Sequence, residues 1–144
     1  QIACAVRHDK PLMLHCRPSS GTMDAYEDVI AVLKSFSGAR GNVHFFVGDV
    51  PIAKRFVELG FTCSFTGVIT FTHDYDEVIK FLSLENILSE TDCPYVAPVP
   101  YRRKRNEPTY VIETVKKIAE IRGEEFEKVR AQLVQNAFRM FSIH

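Results

Sequence analysis

The chain has 144 residues, and its eighteen basic side chains balance eighteen acidic ones, so the formal net charge is zero. This length suits one domain with a real hydrophobic core. Because the net charge is zero, overall charge cannot attract nucleic acid to the chain, and any such attraction must come from a local patch. No apolar run approaches the roughly 18 residues that span a membrane, and no signal peptide is evident. We therefore expect a cytoplasmic protein with no membrane partner.

Short apolar strands alternate with amphipathic helices along the chain. In chain order, the predicted strands are residues 11–15, 41–47, 61–65 and 86–89. Helices are predicted to begin near Asp24, Asp49, Asp74 and Pro108, and a last helix begins near residue 126. Asp24 and Asp74 are each followed three residues later by a glutamate, which is typical of a capping box. Gly60 and Gly123 are well placed to end helices.

Strands that alternate with helices predict an α/β fold with a parallel sheet covered on its faces. Two architectures fit this pattern: an open doubly wound sheet, or part of a (β/α)₈ barrel. No glycine-rich nucleotide loop follows any strand, which weakens the first. The chain has no internal repeat and no linker, so we treat residues 1–144 as a single domain.

Polar side chains stand at the ends of three predicted strands. His15 ends the first strand, His44 lies near the end of the second, and Glu90 and Asp92 follow the fourth. In parallel α/β folds, ligands gather at the carboxyl ends of the strands. Each residue alone has a simpler interpretation, as a hydrogen-bonded core histidine or a helix cap. Together, these nitrogen and oxygen donors favour a divalent metal ion such as Mg²⁺, Mn²⁺ or Zn²⁺.

The four cysteines show no CxxC spacing. We interpret them as reduced and mostly buried thiols rather than as a zinc cluster, whose ligand pairs normally sit two to four residues apart. Because neighbours in a strand point to opposite faces, Cys16 is expected to point away from His15.

A stiff, cationic loop follows the fourth strand. Its prolines remove backbone donors, and four consecutive basic residues occupy positions 102–105. These charges either hold the phosphates of a polyanionic substrate or form a basic surface with no partner. Tyr95 and Tyr101 either stack on nucleobases or pack the loop against the domain.

Six segments together resemble the C-terminal part of the TatD family of metal-dependent deoxyribonucleases, within the amidohydrolase-like TIM-barrel superfamily. They are PLMLHCR (11–17), VHFFVGD (43–49), GFTCSFTGVITF (60–71), ILSETDCPYVAP (87–98), RRKRNEP (102–108) and QNAFRMF (135–141). Two positions depart from the family pattern. Val47 replaces a small hydroxyl residue, and Arg103 replaces a glycine, which reaches backbone angles that arginine avoids.

The resemblance implies the C-terminal half of a (β/α)₈ barrel plus a C-terminal helix, and an enzyme that hydrolyses phosphodiesters by degrading DNA from an end. It implies one or two divalent ions, with Mg²⁺ as the first expectation. The metal-site positions carried over are His15, His44 and Asp92. Asp92 is also the expected catalytic residue that orients or deprotonates the attacking water. Residues expected to contact the substrate or to support the ligands are Arg17, Glu90, Arg105 and Asn106.

A complete barrel of this kind takes about 250 residues and eight strands. The family's N-terminal part, with its His-x-His and a further glutamate, has no counterpart here, so we expect a fragment, a truncated product or a natural half-barrel. A half-barrel leaves two sheet edges uncovered, together with an inner face that is expected to be apolar. Two copies are therefore expected to associate. The alternative function is a catalytically incomplete half-barrel that acts as an assembly or binding module. A small-molecule binder with an open sheet is a third possibility.

Overall fold

The structure is a computed structural model, and it describes residues 1–142. The strands are β1 (Leu12–His15), β2 (Gly41–His44), β3 (Phe61–Phe65) and β4 (Ile87–Ser89). The helices are α1 (Ile2–Arg7), α2 (Asp24–Leu33), α3 (Val50–Glu58), α4 (Asp76–Phe81), α5 (Val111–Arg122) and α6 (Phe126–Phe141). Short 3₁₀ turns cover Gly67–Thr70, Leu84–Asn86 and Pro108–Tyr110. The predicted α/β class, with four consecutive βα units and a terminal helix, is confirmed.

The four strands form one parallel sheet in the order β1-β2-β3-β4. A doubly wound sheet would reverse its strand order at some point, and no reversal occurs among these strands. An unbroken order of parallel strands is what a segment of a barrel wall requires. Within residues 1–142, no helix is long and apolar enough to cross a membrane.

The hydrophobic core lies between the sheet and the helices. Val43, Cys63 and Ile87 point from successive strands into this layer, where all three are fully buried. Tyr26 on α2 is also fully buried, and its hydroxyl oxygen accepts a hydrogen bond from the backbone N–H of Val47 at 2.9 Å. Burial raises the pKa of Tyr26 to about 12.

On the two central strands the opposite face of the sheet is polar, so the prediction of an apolar inner face was wrong there; Met13 on β1 and Leu88 on β4 are apolar residues on the same face. Side chains alternate along a strand, and the inward positions of β2 and β3 are those of Asn42, Thr62 and Ser64, all buried. Thr62 Oγ1 donates to Asn42 Oδ1 at 2.9 Å, and Asn42 Nδ2 donates to Ser64 Oγ at 2.8 Å. These side chains satisfy one another, which lets polar groups occupy a buried surface.

Local signals predicted three helix ends. Asp49 caps α3 by accepting from the N–H of Ile52, and Gly60 and Gly123 follow helices with φ angles of 84° and 63°. Strand β2 ends at His44 rather than at residue 47, because Phe45 has a φ of 48° and leaves the extended region.

Two predicted helix caps were wrong. At α2 the N-cap is Met23, and Asp24 Oδ1 instead accepts from the N–H groups of Ser19 and Ala25. Helix α4 begins at Asp76, two residues after the predicted cap at Asp74. The acidic residue three positions after each predicted cap therefore does not form a capping box.

Candidate active site

A cavity opens where the carboxyl ends of β1 and β2 meet the loop after β4. It is lined by His15, Cys16, Arg17, His44, Phe45, Asp92, Tyr95 and Val96. Four predicted site residues, His15, Arg17, His44 and Asp92, therefore meet in one place. Glu90 lies beside His44, whereas Arg105 and Asn106 do not line the cavity.

The register of the sheet brings the two histidines together. His15 on β1 is the direct partner of His44 on β2, and their ring centroids are 5.7 Å apart. Nδ1 of His44 lies 2.6 Å from Glu90 Oε2, and Nε2 lies 3.5 Å from Asp92 Oδ1. His44 therefore stands between two carboxylates that follow β4.

Glu90 is held from three directions. Besides His44, its carboxylate accepts from the backbone N–H of Phe45 at 2.6 Å and from Ser64 Oγ at 2.9 Å. Through Ser64, the hydrogen bonds continue to Asn42 and Thr62 on the inner face. Our sequence reading missed these three inner-face residues. The signal that would have found them is the run of polar residues at alternate positions of two otherwise apolar strands.

Three residues that line the cavity have left-handed backbone conformations. They are Phe45, Asp92 and Val96, with φ angles of 48°, 54° and 52°. Aspartate tolerates this region better than most residues, but phenylalanine and the β-branched valine do not. Strain of this kind costs roughly 1–3 kcal/mol per residue and gathers at functional sites, where the surrounding structure enforces it.

Cys16 belongs to the core rather than to the ligand set. Its residue is 7% exposed and packs in the hydrophobic core, and burial raises the pKa of its thiol. A protonated thiol is a poor metal ligand. All four cysteines are free, as predicted, but only Cys16 and Cys63 are buried, while Cys4 and Cys93 are exposed.

The loop after Asp92 is held in place by hydrogen bonds between its own residues. The side-chain amide of Asn106, only 2% exposed, donates to the carbonyl oxygens of Thr91 and Tyr95 at 2.8 and 2.6 Å. Arg102 stacks over Phe71 with its guanidinium carbon 3.7 Å from the ring centroid, whereas Arg105 is exposed. Asn106 therefore supports the loop that carries Asp92 and does not reach the cavity.

The donor atoms in the cavity suit a divalent cation, although they do not form a complete coordination shell. Within residues 1–142, no group of three or more His, Cys, Asp or Glu side chains stands in ready-made ligand geometry. When Nδ1 of His44 donates to Glu90, the lone pair of a neutral Nε2 faces the carboxylate of Asp92. Two electron-rich atoms 3.5 Å apart are stabilised by a proton or a cation between them.

Comparison with known proteins identifies the family of the chain. A family model described as TatD related DNase matches residues 1–142. The chain belongs to the TatD family. The TatD resemblance noted in the sequence is thereby confirmed.

Similar proteins carry names that state only a general chemistry, metal-dependent hydrolysis. The chain is 38% identical to "Uncharacterized metal-dependent hydrolase YabD" of Bacillus subtilis, over 100% of this chain and 56% of that protein. It is 32% identical to "Uncharacterized metal-dependent hydrolase YcfH" of Escherichia coli K12, over 94% of this chain and 50% of that protein. The chain thus spans about half the length of these curated relatives.

Solved structures agree on the fold. The YJJV TatD homologue of Escherichia coli superposes with a TM-score of 0.88 at 27% identity, over 99% of this chain and 54% of the other. A TatD-family hydrolase of Entamoeba histolytica superposes with a TM-score of 0.81 at 20% identity, which shows the fold alone. The chain therefore matches about half of each larger structure, in agreement with a half-barrel.

Proposed function

We propose that this TatD-family protein hydrolyses the phosphodiester bonds of DNA from an end, with a divalent metal ion held by His15, His44 and Asp92. The observation that carries the proposal is the convergence of these three side chains on one cavity at the carboxyl ends of parallel strands. The names of the relatives support metal-dependent hydrolysis, and the description of the family model supports DNA as the substrate.

The contacts of Glu90 suit a supporting role. By accepting from Nδ1 of His44, it fixes the ring so that Nε2 faces the cavity, which is the usual way in which a carboxylate orients a metal-binding histidine. Its bonds to Phe45 and Ser64 leave it little freedom to move. Glu90 therefore positions a ligand and takes no direct part in bond cleavage.

Asp92 is the residue proposed to accept the proton of the attacking water. A divalent ion, Mg²⁺ first and Mn²⁺ or Zn²⁺ as alternatives, supplies charge that polarises the phosphate and lowers the pKa of water. Asp92 Oδ1 faces the cavity, where it aligns the attacking water and accepts its proton. Arg17 lines the same cavity and adds positive charge for the phosphate oxygens.

A second candidate function is a half-barrel that binds metal or a partner without catalysis. The observation that favours it is the incomplete ligand geometry among residues 1–142. The two candidate functions differ in whether the chain digests DNA, so a digestion assay separates them.

Asp92→Asn is the sharpest test of the proposed reaction. Asparagine accepts a φ of 54° as readily as aspartate does, so the loop is retained while the carboxylate is lost. We expect the Mg²⁺- or Mn²⁺-dependent digestion of single-stranded DNA to fall by about 10²- to 10⁴-fold, the usual contribution of an acid–base group.

The matched control is Asp74→Asn, an exposed carboxylate outside the cavity, which should leave digestion unchanged. EDTA should abolish digestion by the wild-type chain. Equal rates for wild type and Asp92→Asn would contradict the proposal, and Mn²⁺ binding without digestion would favour the non-catalytic function.

A further inference from the structure

Tyr95 stands at the cavity with most of its ring uncovered. It lines the same cavity as His15, His44 and Asp92 and is 70% exposed. The other exposed large apolar residues within residues 1–142 range from 39% to 53%. An uncovered aromatic ring at this cavity gives an apolar surface on which a planar ligand can stack.

The backbone of Tyr95 is fixed relative to the proposed catalytic carboxylate. Its N–H donates to the carbonyl oxygen of Asp92 at 3.0 Å, and its own carbonyl oxygen accepts from the buried amide of Asn106 at 2.6 Å. The turn that holds Asp92 therefore also holds Tyr95. A ligand stacked on this ring would lie next to the cavity that Asp92 also lines.

The structure separates Tyr95 from the other tyrosine of the loop. Tyr101 stacks on Tyr110 with ring centroids 3.9 Å apart and planes 4° from parallel, so Tyr101 packs the loop. Among the aromatic pairs of residues 1–142, none includes Tyr95. Of the two roles expected for these tyrosines, Tyr101 takes the packing role and Tyr95 keeps a face free for a ligand.

We propose that Tyr95 forms a nucleobase subsite, on which the terminal base of single-stranded DNA stacks while the adjoining phosphate lies toward Arg17 and Asp92. The inference rests on the proposed function, because that function makes DNA the ligand. Every base has a π-face, so stacking on tyrosine tolerates any sequence. The subsite predicts recognition of an unpaired end without a preference for one base.

The test is equilibrium binding of two short single-stranded DNAs, measured by fluorescence anisotropy of an internal dye. One DNA is normal and the other is abasic at both ends, and all proteins carry Asp92→Asn so that turnover does not interfere. Tyr95→Ala should weaken binding of the normal DNA by about 10-fold, within the range expected for one stacked base, and leave the abasic-ended DNA unaffected. Tyr95→Phe should bind like the parent, and Tyr95→Leu like Tyr95→Ala.

A loss that is equal for both DNAs would show damage to the loop and would overturn the subsite. No loss on either DNA, or no binding of either, would also overturn it. Hydrolysis of the same DNAs by the chain with Asp92 intact is measured separately. If hydrolysis is absent but the base-selective loss persists, only the proposed function fails; if hydrolysis is present without a base-selective loss, only the subsite fails.

Discussion

At the scale of single residues, backbone conformation marks the site as clearly as side-chain chemistry does. Phe45 and Val96 adopt left-handed conformations that their side chains disfavour, and both line the cavity with Asp92. The turn after His44 directs the N–H of Phe45 to Glu90. The strain at Phe45 is thus coupled to a hydrogen bond that orients the carboxylate behind His44.

Arg103 lies in the same loop, at the position where the family usually has glycine. Its φ of 69° is left-handed, and its side chain is exposed, so the conformation has a cost without a visible contact. Arg103→Gly removes a penalty of about 1–2 kcal/mol but gives the unfolded chain more freedom. We expect a net gain of roughly 0.5–1 kcal/mol in the free energy of unfolding, measured by urea denaturation.

The neighbouring residue provides the control for this prediction. Lys104 is equally exposed but does not have a positive φ, so Lys104→Gly should lower stability by up to about 1 kcal/mol. Equal losses of stability in the two glycine variants would mean that the angle at Arg103 carries no strain.

At the scale of elements, α6 is joined to β4 by one buried side chain. Asn136 is fully buried, and its amide donates to the carbonyl oxygens of Leu84 and Ile87 at 2.7 and 2.8 Å. Asn136 thereby holds the start of the strand whose end delivers Glu90 and Asp92. The QNAFRMF segment is one of the six that resemble the family in sequence, and this contact of Asn136 gives that segment a structural role.

Asn136→Ala removes a buried donor from two carbonyl groups, of which that of Leu84 still accepts from the N–H of Ile87. A lost hydrogen bond costs about 0.5–1.5 kcal/mol, and a buried group left without a partner costs about 1–3 kcal/mol. We expect the free energy of unfolding to fall by about 2–4 kcal/mol in total, as measured by thermal and urea unfolding. Asn136→Asp should be at least as harmful, because it places a carboxylate against two carbonyl oxygens.

Gln135→Ala is the matched control, since Gln135 is exposed on the same helix and surface changes usually stay within about 0.5 kcal/mol. If Asn136→Ala were as stable as Gln135→Ala, the two hydrogen bonds would not join α6 to β4 in the way described.

At the scale of the whole molecule, the described sheet has two edges, β1 and β4. Apolar grooves flank both edges: Leu12, Leu14 and Val32 line one beside β1, and Leu88 and Val134 line one beside β4. Unpaired strand edges readily pair with other chains. We propose that, when the 144-residue chain is produced alone, two copies associate through these edges and close a barrel-like sheet.

Analytical ultracentrifugation over a range of concentrations tests this association. We expect a dimer that is weakened by Met13→Lys, because Met13 is 53% exposed on the edge strand β1. Phe81→Lys, on α4 and 50% exposed, is the control and should leave the dimer intact. A stable monomer at the highest concentration would contradict the proposal.

Much of the fold could be predicted from local patterns of residues in the sequence. The alternation of apolar strands with amphipathic helices determined the α/β class, and Asp49 and Gly123 marked helix ends, because caps and periodicity depend on residues close together in the chain. The positions of His15, His44 and Asp92 at strand ends were also readable, since parallel strands deliver their carboxyl ends to one edge.

The tertiary structure decided what those residues touch. Glu90 meets His44 across 46 positions of the chain and Ser64 across 26, and no local pattern specifies such pairs. The polar inner face, the early end of β2 at Phe45 and the different environments of Tyr95 and Tyr101 likewise depend on sheet register and loop packing. Sequence alone determined which chemical groups come to the edge of the sheet; their partners and orientation are set by contacts between distant segments, because those form only when the sheet assembles.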